Sequence, residues 1–167
     1  MSSLSTRIVS EPLSAGAQRV QDALAALGCD GRLLQLARPA RTAAEAAAAV
    51  GCEVGQFVKS LVFAMRGRGV ALLVLTSGAN RVDETTLADI VGEPLDKADA
   101  DFVREHTGFA IGGVAPVGHT RTLATLIDED LMTWQQVWAA GGHPNTVFSL
   151  APSELARITG GRIVRVK

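Results

Sequence analysis

The strongest constraint on the fold is a glycine-rich segment, Thr107–His119. It contains the pair Gly112 and Gly113, followed by Pro116 and Gly118, within apolar sequence. Glycine allows backbone angles and close approaches that other residues forbid, and proline fixes one angle. We therefore expect a loop whose N–H groups face an anionic or carbonyl-bearing ligand, with a tight turn between two strands as the alternative. The P-loop ending and the G-x-G-x-x-G motif are both missing, which gives no support to nucleotide triphosphates or dinucleotides as ligands.

A lysine lies inside the apolar, strand-like run Phe57–Phe63. Because side chains alternate along a strand, Lys59 is expected to share its face with Phe57 and Leu61. Ser60 would lie on the opposite face and reach the same pocket only through a bulge or through curvature of the sheet. Two interpretations of Lys59 remain open. It is either an edge lysine whose ammonium reaches water, or a half-buried lysine that binds a ligand.

The pattern of apolar residues, caps and turns predicts a single α+β domain over residues 1–167 with a mixed β-sheet. The predicted helices are 15–28, Thr42–Gly51, Asp83–Val91, Asp99–His106 and Ser153–Thr159, with Thr42, Asp83, Asp99 and Ser153 as caps. The predicted strands are Leu33–Leu36, Phe57–Met65, Val70–Thr76, Leu123–Ile127, Gln136–Ala139, Val147–Leu150 and Arg162–Val166, with a turn over Gly141–Pro144.

Charge and composition exclude several classes of function. The net charge is −1 and tyrosine is absent, so a wide basic or aromatic nucleic-acid surface is not expected, although recognition of a nucleic acid's end stays open. Cys29 and Cys52 lack zinc-ligand spacing, and the cluster Asp128–Asp130 is predicted to cap a turn; no metal or organic cofactor is suggested. Without a signal peptide or an apolar run of ~18 residues, we expect a soluble cytoplasmic protein with no membrane partner.

Several segments, in this order, resemble the YbaK/prolyl-tRNA synthetase editing-domain family. They are Thr42-Ala-Ala-Glu-Ala-Ala, Val58-Lys-Ser-Leu-Val-Phe63, Leu73-Val-Leu, Thr107-Gly-Phe, Gly112-Gly-Val-Ala-Pro116-Val-Gly118 and Ile127-Asp128. The lysine strand and the G-x-x-x-P loop are the specific parts, and the resemblance begins near residue 35. Residues 1–34 would be a variable N-terminal helix and strand. The resemblance implies a curved mixed β-sheet, flanked by helices, that carries the pocket.

The resemblance further implies a trans-editing deacylase, which hydrolyses the ester of a wrong amino acid on the 3′ end of tRNA. The expected substrate is proline tRNA carrying alanine or 2-aminobutyrate, and prolyl-tRNA synthetase is a further expected partner. Lys59 would hold the terminal nucleotide or polarise the carbonyl, and the N–H groups of Gly112 and Gly113 would stabilise the oxyanion. The expected substrate-binding residues are Phe57, Ser60, Ile111, Val114, Pro116, Gly118 and His119. A non-catalytic module that binds aminoacyl ends and a small-molecule ester hydrolase are the alternatives.

Overall fold

The computed structural model describes residues 6–8 and 12–167, where helices and strands follow one another irregularly in an α+β arrangement, as predicted. The helices are α1 Ala15–Ala26, α2 Ala43–Val50, α3 Glu84–Val91, α4 Ala100–Thr107 and α5 Pro152–Thr159, with short 3-10 helices at Val54–Gln56 and Glu129–Thr133. The strands are β1 Thr6–Ile8, β2 Leu34–Leu36, β3 Val58–Met65, β4 Val70–Ser77, β5 Leu95–Lys97, β6 Ala124–Asp128, β7 Val137–His143, β8 Thr146–Leu150 and β9 Arg162–Val164. Strands β1 and β5 and both 3-10 helices were not predicted.

The helices begin at residues whose side chains satisfy the first backbone N–H groups. Thr42, Asp83 and Asp99 each accept such a hydrogen bond, which confirms three predicted caps. The predicted cap Ser153 is wrong, because α5 begins one residue earlier, with Pro152 as its first residue after Ala151. Proline suits that position because its fixed φ is already helical and its missing N–H would have had no helical partner.

The predicted lysine strand, β3, is part of a mixed five-stranded sheet. Its strand order is β5-β3-β4-β6-β9. The hairpin β3–β4 is antiparallel, as the turn Arg66-Gly-Arg-Gly69 predicts, whereas β4–β6 and β6–β9 are parallel. Strand β5 pairs only with Phe63–Met65 at the end of β3. Within the described residues, the first half of β3 therefore has a strand neighbour along one edge only. Phe57, the residue before β3, makes a single bridge with Trp138 of β7.

The remaining strands form a second sheet, where we had expected a single curved one. Its order is β1-β2-β8-β7, and all its pairs are antiparallel. Strand β7 runs on to His143 and the turn is at Pro144 and Asn145, so the turn predicted at Gly141–Pro144 begins too early. The register of β7 against β8 shifts between Ala140 and His143, and Gly142 has a φ of 95°. Glycine is needed there because a Cβ on Gly142 would lie 2.5 Å from the carbonyl oxygen of Gly16 in α1.

The glycine-rich connection between α4 and β6 is part of the main hydrophobic core. Phe109, Val114, Ala115 and Val117 are all at most 5% exposed. They pack with side chains of α1, β4, β7, β8 and α5 in one cluster. The glycine-rich segment is therefore packed on several sides and is not an exposed surface loop. Among the described residues, no helix combines the length and apolar character that crossing a membrane would require.

Candidate active site

A cavity of about 330 Å³ lies where the open edge of β3 meets α2, the glycine loop (Gly108–Gly118) and the β7–β8 hairpin. Most of its wall is apolar. Its lining residues are Ala40, Arg41, Thr42, Ala43, Ala46, Phe57, Val58, Lys59, Ser60, Leu61, Gly112, Val114, Ala140, Pro144 and Val147. Five residues predicted for the site are therefore brought together, namely Phe57, Lys59, Ser60, Gly112 and Val114. A small apolar group with one anionic or carbonyl end would match this lining.

Lys59 is half-buried, and its ammonium is held in a defined direction. Its Nζ donates to the carbonyl oxygen of Asn80 at 2.7 Å. Burial lowers the pKa of Lys59, and the negative charge of Asp128 partly opposes that shift. An ammonium has three donors, and this is the single hydrogen bond that it makes within the described residues. The other two donors are available to a ligand in the cavity.

Asp128 anchors the residues behind Lys59. Its carboxylate is buried and accepts from the Thr76 hydroxyl at 2.9 Å, the Ser77 N–H at 3.0 Å and the Asn80 amide at 2.8 Å. It also accepts from the N–H of Asp130 at 2.9 Å, which confirms the predicted capping role. Because the Asn80 side chain is fixed in this way, the backbone carbonyl oxygen of the same residue stays in place to accept from Lys59. Sequence reasoning missed Asn80, which carries no motif of its own.

Ser60 reaches the cavity although it lies on the opposite face of β3 from Lys59. The pairing with β4 is regular here, since Lys59 faces Thr76 and Ser60 faces Leu75, so no bulge is involved. The cavity instead runs along the open edge of the strand, where side chains of both faces can border it. The Ser60 hydroxyl is buried and has no hydrogen-bond partner among the described residues. A ligand that forms a hydrogen bond with this buried hydroxyl would remove the energetic cost of leaving it without a partner.

The glycine loop contributes to the cavity through Gly112 and Val114, and not through Gly113. The N–H of Gly113 donates to the carbonyl oxygen of Ala110 at 3.0 Å, so it cannot serve as the predicted oxyanion donor. A Cβ on Gly113 would lie 3.0 Å from the Cα of His143, so this glycine permits close packing on β7. In the described part of the chain, the N–H groups of Gly112 and Val114 donate to no protein acceptor. These two N–H groups remain the candidate donors.

Four other predicted site residues lie away from this cavity. Ile111 is 59% exposed and does not line the wall, because it lies at the outer turn of the loop. Pro116, Gly118 and His119 line a different, more polar cavity of about 330 Å³. The Nε2–H of His119 donates to the carbonyl oxygen of Ala115 at 2.7 Å, since a carbonyl can only accept. His119 therefore supports the loop from behind and is not placed to orient water beside Lys59.

Two walls of the cavity were not predicted. One is the start of α2 with Arg41, Ala43 and Ala46. The other is the β7–β8 hairpin with Pro144 and Val147. The alanines matter because their small side chains leave space beside the helix. The sequence signal that was available was Arg41, a cation directly before the capping residue of a helix.

The family model of the aminoacyl-tRNA editing domain matches residues 37–158, which is most of the chain. The chain belongs to this family, which confirms the resemblance noted from the sequence. A solved structure titled as a candidate trans-editing enzyme for prolyl tRNA synthetase superimposes with a TM-score of 0.88. It is 49% identical, and the match covers 93% of this chain and 99% of that one.

Two curated relatives have names that refer to tRNA. The proline–tRNA ligase of Limosilactobacillus fermentum is 33% identical over 110 residues, and the match covers 63% of this chain but only 19% of the ligase. A protein of Enterococcus faecalis, named as a candidate Cys-tRNA(Pro)/Cys-tRNA(Cys) deacylase, is 23% identical over 126 residues. That match covers 75% of this chain and 76% of the relative. The ligase similarity thus concerns one part of a much longer protein.

Proposed function

We propose that this protein is a trans-editing deacylase that removes a small noncognate amino acid from proline tRNA. The proposal rests on the cavity in which the oriented ammonium of Lys59 and the unengaged N–H of Gly112 border an apolar pocket. The family membership supplies the substrate class, an aminoacyl ester on tRNA. The similarity to a candidate trans-editing enzyme for prolyl tRNA synthetase supports proline tRNA as the carrier.

The reaction needs little from the protein besides binding and electrostatics. Water adds to the ester carbonyl, the bond from the acyl carbon to the ribose oxygen breaks, and a proton passes to that leaving oxygen. The products are a free amino acid and tRNA with its terminal hydroxyl restored. Negative charge develops on the carbonyl oxygen, and the N–H groups of Gly112 and Val114 are the donors that stabilise it. The vicinal ribose hydroxyl can position the attacking water.

Lys59 binds the terminal nucleotide in this proposal. Its ammonium is a compact charge that suits a phosphate or ribose oxygen, and the hydrogen bond to Asn80 aims it. If it lies nearer the ester, the same charge polarises the carbonyl. Both roles place positive charge beside the scissile group. Neutralising Lys59 should therefore cost activity in either case.

The apolar wall selects the amino acid by size. Phe57, Val114 and Val147 surround space left by the alanines of α2. A methylene group is worth only ~1–3 kcal/mol in such a pocket, which is why a synthetase errs and a second, differently shaped pocket is useful. Alanine and 2-aminobutyrate are small enough to enter. Proline would have to fit its ring against the same walls, and we expect it to be refused.

The test is deacylation of proline tRNA charged in turn with alanine, 2-aminobutyrate, cysteine, serine and proline. Wild type should clear one small residue rapidly and spare proline, and Lys59→Ala should lose this activity. Lys97→Ala, an exposed lysine on β5 of the same sheet, is the matched control and should behave as wild type. If tRNA binds but no ester turns over, the protein is a binding module. Turnover of free aminoacyl esters without tRNA would indicate a small-molecule esterase.

A further inference from the structure

Helix α1 packs against the glycine loop and contributes no residue to the wall of the cavity around Lys59. Arg19 extends from α1 to both ends of the loop. Its Nη2 donates to the carbonyl oxygen of Gly108 at 2.7 Å, and its Nε donates to that of Gly118 at 3.2 Å. The two carbonyls are ten residues apart in the chain and are held by one planar guanidinium. One side chain therefore bridges the two ends of the loop that carries Gly112, beside a backbone hydrogen bond from the N–H of Thr120 to the carbonyl oxygen of Thr107 at 3.2 Å.

The surroundings of Arg19 fix its guanidinium. The group lies 4.5 Å from the centroid of the Phe109 ring, over its face. Phe109 is buried, and His119 packs against it edge-on at 6.0 Å between ring centroids. His119 in turn donates to Ala115 within the loop. Stacking and hydrogen bonds together hold the loop at Gly108, Ala115 and Gly118, which flank the cavity-lining residues.

The backbone around Arg19 is built for close approach. A Cβ on Gly108 would lie 2.5 Å from the Arg19 guanidinium, and one on Gly118 would lie 3.2 Å from the Arg19 carbonyl oxygen. Both glycines also have positive φ, 81° and 85°. At its own start, α1 is pressed against Gly142 of β7, next to the hairpin wall of the cavity. Helix α1 thus links two of the cavity's walls.

We infer that Arg19 is a positioning residue for the hydrolysis, acting through the loop to place the N–H groups of Gly112 and Val114. The inference rests on the proposed function and names a residue that does not touch the cavity. Lysine cannot replace arginine here, because an ammonium is a point donor without the planar fork that spans two carbonyls and stacks on a ring. A displacement of the donors by about an ångström can cost on the order of 100-fold in rate.

The experiment compares Arg19→Lys with Arg157→Lys. Arg157 is a matched control because its guanidinium also holds α1, donating to the carbonyl oxygen of Leu27 at 2.7 Å at the far end of the helix. We expect Arg19→Lys to lower kcat for deacylation by ~10- to 100-fold with KM within about threefold. Arg157→Lys should leave both constants unchanged. Guanidinium ion at low millimolar concentration should restore part of the activity of Arg19→Ala.

Three kinetic results would overturn the inference. They are an unchanged kcat in Arg19→Lys, an equal loss in Arg157→Lys, and a raised KM with an unchanged kcat, which would mean that Arg19 binds the substrate itself. Hydrogen exchange of peptides covering residues 109–118 gives a readout that does not need activity. Exchange should accelerate in Arg19→Lys and stay unchanged in Arg157→Lys. Wild type that clears no ester would refute the proposed function, and the exchange rates would still decide whether Arg19 holds the loop.

Discussion

Asp128 keeps a carboxylate inside the protein because four donors surround it. Three of them reach one oxygen, from Thr76, Ser77 and Asn80, and the N–H of Asp130 reaches the other. A carboxylate is the only side-chain group of this size that accepts on both sides without presenting a donor. Its charge also lies close enough to Lys59 to favour the protonated ammonium. The acidic cluster that the sequence predicts as a turn is thus also the support of the candidate site.

We predict that Asp128→Asn destabilises the protein by roughly 1.5–3 kcal/mol, the usual worth of a hydrogen bond to a charged group. The amide accepts on one side only, so one of the buried donors would face an N–H₂ group. Urea unfolding measures the change. Asp89→Asn, on the exposed surface of α3, is the control and should be neutral. Wild-type stability in Asp128→Asn would show that the buried charge contributes nothing.

The second residue-scale prediction concerns acid. Burial lowers the pKa of His119, the nearby charge of Arg19 adds to this, and the hydrogen bond to Ala115 partly opposes it. Below about pH 6.5, His119 therefore binds a proton more readily in the unfolded chain than in the folded protein. His119 thus contributes stability that is complete above that pH and is lost as the pH falls towards the lowered pKa.

His119→Gln, which retains a donor for Ala115, should unfold with a weaker dependence on pH than wild type. The measurement is the free energy of unfolding in urea at about pH 7.5 and at about pH 5.5, where protonation of the unfolded histidine differs most. The drop between the two pH values should be smaller in the variant. An identical drop in both proteins would assign the acid sensitivity to other groups.

At the scale of elements, α1 and β7 are in contact through their backbones. A Cβ on Gly16 would clash with the carbonyl oxygen of Gly142. A Cβ on Gly142 would likewise clash with the carbonyl oxygen of Gly16. Alanine normally stabilises a helix relative to glycine by ~1 kcal/mol. We predict the opposite sign for Gly16→Ala, a loss of about 1–3 kcal/mol from overpacking, measured by urea unfolding. A more stable variant would mean that α1 can shift away from β7 at little cost.

Local signals predicted those elements that local chemistry determines. The caps Thr42 and Asp99 and the β3–β4 hairpin follow from short-range hydrogen bonds and turn residues. The division into two sheets could not be predicted, because β2 pairs with β8 across more than a hundred residues and no local pattern specifies that choice. The unpredicted strand β5 has only three residues, too few for an alternating pattern to appear.

Part of the candidate site could be predicted from the sequence, but most of its apolar wall could not. Lys59 and Gly112, which line the cavity, could be selected from the sequence because a lysine in a strand and a glycine pair are locally unusual. Ala46 and Val147 are ordinary core residues, and only the tertiary packing makes them walls of a cavity. His119 was assigned to the wrong cavity because a loop has two faces, and its sequence does not say which face a side chain takes.

At the scale of the whole molecule, the balance of charge limits how tRNA is bound. The net charge is −1, and the basic residues that line the cavity are Arg41 and Lys59. Two contacts with single-stranded phosphates correspond to a slope of about −1.4 for log K against log salt concentration. We predict a slope near this value and similar affinities for full tRNA and an acceptor-stem minihelix. A slope steeper than about −5 would indicate a broad tRNA surface that includes other basic residues.

The assembly of the cavity from separate segments has a consequence for how such a protein diversifies. Helix α2 and the β7–β8 hairpin determine its width, whereas β3 and the glycine loop carry Lys59 and Gly112. Exchanging Ala43 or Ala46 for a larger residue alters the space without touching either polar group. Single substitutions can therefore change the substrate preference while the candidate site residues Lys59 and Gly112 are retained, so one ancestral scaffold can give rise to family members with different preferences.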